Sequence, residues 1–258
     1  MIGIIGAMST EVDSLIAKIE NPKIECISCF SFVRGAIYNK DVVVLKSGIG
    51  KVASAVGAAL LIQNYKPSFI INNGIAGGVS PLKSEDIVIS KNLSYGDVDA
   101  TVFGYKLGQV PQMPYFYEAD NVYLSKIEEI LKSNGYNYKI GHAVTSDSFI
   151  TSLDMVHSEH FENMICEMEG ASIAQACYML KVPFVSIRYI SDILGEASQI
   201  DNYNDFENKM AYRSCDIILD ITRDLKWVNT KEWYLDAYIL GKSRTKSVRH
   251  YQIKEMNF

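Results

Sequence analysis

A chain of 258 residues, 48% hydrophobic and 21% charged, is long enough for one large α/β domain or two small ones and can fill a substantial core. Its formal net charge of −5 argues against non-specific nucleic-acid binding or an anionic membrane partner. No apolar run reaches the roughly 18 residues of a spanning helix, and the short run Met1 to Met8 lacks the basic flank of a signal peptide.

The five cysteines (26, 29, 166, 177, 215) are odd in number and scattered, which fits reduced thiols in a cytoplasmic protein. Cys26 and Cys29 form a CxxC within an apparent strand but lack a second pair. His157-Ser158-Glu159-His160 reads as a surface turn rather than a metal site.

Ile2 to Ile5 predicts a buried strand ending at Gly6-Ala7-Met8. A helix follows with Val12, Leu15, Ile16 and Ile19 on one face and Thr10 as its expected N-cap, which places Glu11 in the first turn. Residues 24–46 read as a meander: one strand from Ile24 to Val33, then Ala36 to Tyr38, a turn at 39–41, and Val42 to Leu45. Ser47-Gly48-Ile49-Gly50-Lys51-Val52-Ala53 opens a small-residue helix to about Gln63. This is a formal G-x-G-x-x-A match, but a dinucleotide site needs an acid at the end of the next strand. After Phe69-Ile70-Ile71 stands Asn72-Asn73, then Gly74 to Gly78, a second glycine turn.

Asp86 to Ser90 reads as a strand, and 91–119 as a long aromatic-rich connection of a kind usually functional or interfacial. A helix over 120–133 closes at Asn134-Gly135. The strand Ile140 to Val144 leads into Ser146-Asp147-Ser148-Phe149-Ile150, where Asp147 suits a cap or turn as well as a ligand contact. Two further strand-like runs end in acids: Ile165-Cys166 before Glu167-Met168-Glu169, and Phe184 to Ile190 before Ser191-Asp192. A buried acid at a strand end is costly unless paired or used. The segment 194–204 reads as a polar, mobile connection, the last core helix as 205–225, and 226–258, with Trp227, Trp233 and a basic stretch 242–250, as an appendage beyond the only visible boundary.

These strand-end stretches, in order from residue 1 to about 225, resemble the 5′-methylthioadenosine/S-adenosylhomocysteine nucleosidases of the nucleoside phosphorylase superfamily. The matching runs are Gly3 to Met8 with Glu11-Val12, Ser47 to Val52, Asn73-Gly74 with Ala76-Gly77-Gly78, Asp86 to Ser90, Phe103-Gly104-Tyr105, Ser146 to Ile150, Glu167-Met168-Glu169, and Arg188 with Ile190-Ser191-Asp192. The resemblance implies a single-domain, three-layer α/β/α fold with a central mixed, partly barrel-like sheet over 1–225, and leaves 226–258 an extension of unassigned role.

It also implies roles. Asp192 would protonate adenine at N7, supported by Ser191. Glu11 would hold the attacking water, with Arg188 keeping it charged. Glu169 and the Met168 backbone would bind the ribose hydroxyls, Phe149 would stack on adenine, and the Ile150 backbone would read its edge. Ala76 and Gly77 would border the nucleoside, and Met8, Ile49 and Tyr203 would line the 5′-alkylthio pocket. Phe103 and Pro111 would come from the partner subunit of a homodimer, whose 91–119 loop completes the neighbouring site. No metal or organic cofactor is implied. Ile75 stands where some members carry a hydroxyl residue that helps place the water.

The chemistry fits these residue types. Protonating the base removes the second charge of a poor leaving group, while a second, ionised acid orients water, as in an inverting glycosidase. A phosphorylase of the same fold needs cations for phosphate; Ala7 to Glu11 presents an acid and no arginine, and Asn72-Asn73 offers no cation. A non-catalytic binding protein and a nicotinamide enzyme are weaker readings.

Overall fold

The computed structural model describes residues 1–156 and 159–226, without the side chains of 207–212. Met1–Leu225 form one compact unit. In chain order its elements are β1 (Ile2–Gly6), α1 (Ser9–Ile16), β2 (Glu20–Ile27), β3 (Phe30–Ile37), β4 (Lys40–Lys46), α2 (Lys51–Tyr65), β5 (Phe69–Gly78), β6 (Ile87–Tyr95), β7 (Tyr117–Glu118), α3 (Asn121–Ser133), β8 (Tyr138–Thr145), β9 (Met164–Glu167), α4 (Gly170–Leu180), β10 (Phe184–Ile193) and α5 (Gln199–Asp224). Every residue of β1 and of β10 is buried, the near-continuous apolar signature of strands covered on both faces.

The sheet is mixed and partly closed. β5 pairs with β9, β9 with β8, β8 with β6, β6 with β10, and β10 returns to β5, so these five strands form a closed barrel. From β5 the sheet continues outward as β1, β4, β3 and β2. Helices α2 and α4 pack together, α1 and α3 pack on α5, and both groups lie against the sheet. This is the three-layer α/β/α arrangement with a partly barrel-like sheet. Closure matters for function because it brings the ends of β5, β9 and β10, far apart in sequence, around one opening.

Four local expectations change. The run Ile24 to Val33 is two strands of a hairpin, because Ser28 takes a left-handed φ of 54° and turns the chain without a glycine or proline. Cys26, in β2, and Cys29, in the hairpin turn, are exposed free thiols. The helix after β1 starts at Ser9 with Met8 as N-cap, and Glu11 fills the third helical position. Asn72 to Gly78 is not a turn: it continues β5, whose second half is hydrogen-bonded to β10 on one side and β9 on the other. Its glycines admit neighbouring side chains. A Cβ on Gly74 would lie 2.6 Å from Glu11 Oε1 and 2.7 Å from Arg188 Nη1.

Finally, the polar stretch 199–204 is the first turn and a half of α5, anchored by buried Gln199 and Phe206. The far end of α5 is held by Lys40 Nζ, which donates to the carbonyls of Thr222 (2.6 Å), Arg223 (2.9 Å) and Leu225 (2.6 Å), a cation on the negative end of the helix. No helix among the described residues is long and apolar enough to cross a membrane. His157, both tryptophans and the basic stretch 242–250 lie outside the described residues.

Candidate active site

Glu11 is placed by the sharp exit from β1. Its Oε2 accepts from the backbone N–H of Ala7 (2.6 Å) and Met8 (3.0 Å), and its Oε1 accepts from Ile75 N–H (3.1 Å) in β5. The carboxyl is thus more than a helix-dipole partner: it ties α1 to two strands. Burial pushes its pKa up, opposed by Arg188 and by these N–H groups. These hydrogen-bond partners are all donors, the environment of a group that accepts protons rather than gives them. The position of Ile75 contributes through its backbone N–H, so this contact needs no side-chain hydroxyl there.

Asp192 owes its direction to a β-bulge. In the β10–β5 ladder Ile190 faces Ala76 and Asp192 faces Gly77, so Ser191 is the extra residue, and such a bulge re-aims side chains. Ser191 Oγ donates to Asp192 Oδ1, and Gln199 Nε2 donates to Asp192 Oδ2 at 2.8 Å. The missing side chain of Gly77 leaves room for that carboxyl: a Cβ there would sit 3.1 Å from Oδ2.

Between these acids lies a buried charge cluster. Arg188 Nη2 donates to Glu167 Oε2 (2.7 Å) and to Asn72 Oδ1 (2.5 Å). Glu167 Oε2 also accepts from the N–H groups of Glu169 (2.9 Å) and Gly170 (2.5 Å) at the start of α4, and Thr145 Oγ1 donates to Oε1. Burial works against the guanidinium charge, but Glu167, Glu11 and Glu169 hold the pKa of Arg188 above its ordinary value. Arg188 hydrogen-bonds Glu167, not Glu11, and acts on Glu11 through its charge.

Glu169 Oε1 accepts from Gly50 N–H (2.9 Å), joining the N-termini of α2 and α4. Burial and the neighbouring Glu167 push its pKa up to about 8, against the pull of Arg188 and the Gly50 N–H. Below about 4.5 this group is protonated both folded and unfolded; above that only the folded state keeps the proton, until pH passes about 8. Its favourable contribution is therefore lost as pH rises through about 8. Glu169→Gln is expected to melt higher than the parent at pH 9, by about 2–4 °C per kcal/mol relieved, with the gap closing at pH 4; melting curves at the two pH values measure it.

Glu11, Glu167, Glu169 and Asp192 open onto one cleft. Of the residues singled out in the sequence, Glu11, Met8 and Ile49 line it from the first half of the chain, with Ala76 and Gly77 from β5. Phe149, Ile150, Met168, Glu169, Ser191, Asp192 and Tyr203 line it from the second. Phe149 and Tyr203 meet edge to face, with ring centroids 5.3 Å apart. Arg188 lies behind the wall, 1% exposed. Phe103 and Pro111 do not line it; both are exposed in the segment between β6 and β7.

Sequence reasoning missed Asn72 and Gln199 and assigned no role to Glu167. The first two were invisible because one was read as the end of a strand and the other as part of a loop. Asp147 accepts from Lys51 N–H (2.8 Å), and Lys51 Nζ pairs with Asp97 at 2.6 Å, so Asp147 serves the start of α2.

The barrel, the two helix layers and the acid-lined cleft define the class: the phosphorylase superfamily, whose family model matches residues 1–223. A 5′-methylthioadenosine/S-adenosylhomocysteine nucleosidase of Halalkalibacterium halodurans is 44% identical over 224 residues, covering 85% of this chain and 96% of the relative. The Neisseria meningitidis nucleosidase of that name, solved with methylthio-immucillin-A, superposes with a TM-score of 0.82 at 34% identity, over 87% of this chain and 99% of the other. The Colwellia psychrerythraea nucleosidase, solved with adenine, gives a TM-score of 0.81 at 37% identity, over 87% and 95%. The chain belongs to the 5′-methylthioadenosine/S-adenosylhomocysteine nucleosidase family.

Proposed function

We propose that this protein hydrolyses the N-ribosidic bond of 5′-methylthioadenosine and S-adenosylhomocysteine, releasing adenine and the thioribose sugar. In this reading Asp192 delivers a proton to adenine N7 as the N9–C1′ bond breaks, so the base leaves neutral. Glu11 takes a proton from the water that attacks C1′. Glu169 and the Met168 backbone hold the ribose hydroxyls, Phe149 stacks on the base, and the Ile150 backbone reads its edge. Met8, Ile49 and Tyr203 surround the 5′-alkylthio group. Arg188 moderates the charge of the three surrounding glutamates from behind.

The observation that carries the reading is Glu11: a carboxyl held by three backbone N–H groups at the mouth of β1. A fixed acid suits water and repels a phosphate dianion, which favours hydrolysis over phosphorolysis. Adenine release from 5′-methylthioadenosine, S-adenosylhomocysteine, 5′-deoxyadenosine and 6-amino-6-deoxyfutalosine is to be measured with and without inorganic phosphate. The first two are expected to react at the same rate in both; a requirement for phosphate would overturn the assignment.

The reading includes a homodimer in which Phe103 and Pro111 of the 91–119 segment complete the neighbouring site. Its support is the exposure of Phe103 beside Val102 (79% and 85%) and of Val52, Val56 and Met179 on the α2 and α4 faces, apolar surface that a subunit contact would cover. The five free cysteines suit a reducing cytoplasmic setting.

A further inference from the structure

Gln199 is nearly fully buried, and each polar atom of its side chain is engaged. Nε2 donates to Asp192 Oδ2 (2.8 Å) and to the Ile150 carbonyl (2.9 Å), while Oε1 accepts from Gly195 N–H (3.3 Å). One amide therefore joins two walls of the cleft that come from different elements: the bulged end of β10 and the loop after β8. It is the first residue of α5, and one helical turn later the same helix supplies Tyr203 to the cleft.

From this geometry we infer that Gln199 is a positioning residue for the reaction proposed above, and the inference rests on that reading. It sets the spacing between the carboxyl that protonates adenine and the backbone carbonyl beside the adenine edge. It also acts on the proton transfer. When Asp192 gives its proton to N7 it becomes a carboxylate, and donors favour that form. With Ser191 Oγ on Oδ1 and Gln199 Nε2 on Oδ2, both oxygens meet a donor as the charge develops. Such a contact strengthens during bond breaking, so its loss should appear in kcat more than in KM.

The other titratable groups lining the cleft with this carboxyl are Glu11 from α1, Cys166 and Glu167 from β9, Glu169 before α4, and Tyr203 from α5. None of them supplies the Oδ2 contact. The roles of Gln199 and Ser191 also differ by origin: Ser191 adjoins Asp192 in sequence, whereas Gln199 reaches it only because α5 starts early.

The test uses the full chain with 5′-methylthioadenosine and two variants. Gln199→Met keeps the length and removes the N–H groups; Gln199→Asn keeps a polar amide but falls one methylene short. Both are expected to lower kcat by about 10–100-fold with little change in KM. In both, the loss should shrink for a substrate whose base leaves without protonation, because the missing donor serves the proton transfer. A structural role alone would lower the melting temperature and slow both kinds of substrate alike. An equal loss on both kinds of substrate in either active variant, or unchanged kcat, overturns the inference. Asp192→Asn, assayed alongside, separates the two readings: if it stays active the proposed mechanism falls, whereas an inactive Asp192→Asn with parent-like Gln199 variants removes only the role of Gln199.

Discussion

Asp192→Asn and Glu11→Gln are each expected to abolish adenine release while leaving the fold intact. Losing a positioned general acid alone removes about 10²–10⁴-fold in rate. Asn fits the space of Asp192 and can still accept a hydrogen bond from Ser191 or Gln199, but it has no proton to give to N7. Gln at position 11 retains one acceptor oxygen for the N–H groups of Ala7, Met8 and Ile75, yet cannot take a proton from water. The two losses should differ in character. The Asp192 variant fails at leaving-group departure, so substrates whose base leaves without protonation should suffer less; the Glu11 variant should lose all substrates alike. Adenine release, with circular dichroism and melting curves as the fold control, measures both. Near-normal turnover in both variants would sink the mechanism.

The sequence allowed the three acids to be found because each follows, or opens an element after, an apolar run long enough to be a strand. Strand ends are where sheets of this kind present side chains to ligands. The closed barrel was readable only through the family resemblance, since the β10–β5 and β5–β9 pairings join segments about a hundred residues apart and leave no local pattern. Asn72-Asn73 misled because two amides after Phe69-Ile70-Ile71 look like a strand end. In the fold they continue β5, where Asn72 Oδ1 accepts from Arg188 and Asn72 Nδ2 donates to the Ile5 carbonyl. Polar groups can sit inside a strand when partners from other elements satisfy them, and those partners were far away in sequence. Gln199 was hidden for the related reason that a polar, glycine-containing stretch reads as loop, although the helix start there is set by the tertiary contacts of Gln199 and Phe206.

Glu167→Ala should be among the most destabilising single changes in the molecule, although it lies beside, not at, the reacting atoms. The Glu167 and Arg188 side chains are each 1% exposed and 2.7 Å apart. Removing one member of a buried ion pair costs about 3–5 kcal/mol because the other charge stays behind. The same truncation strips the acceptor from two N–H groups at the start of α4 and from Thr145 Oγ1; loss of an anion at a helix N-terminus adds about 0.3–1 kcal/mol. Glu169→Ala provides the contrast. It removes a group whose charge burial disfavours and whose hydrogen bond to Gly50 is single, so it should weaken nucleoside binding with little loss of stability. Urea unfolding of the two variants distinguishes them. If Glu167→Ala unfolds at the parental midpoint, the pair is not the structural centre of the site. A further variant carrying Glu167→Met and Arg188→Met together removes both charges at once and should recover part of the lost stability, but not activity, because Glu11 and Glu169 would then face the cleft without a compensating cation.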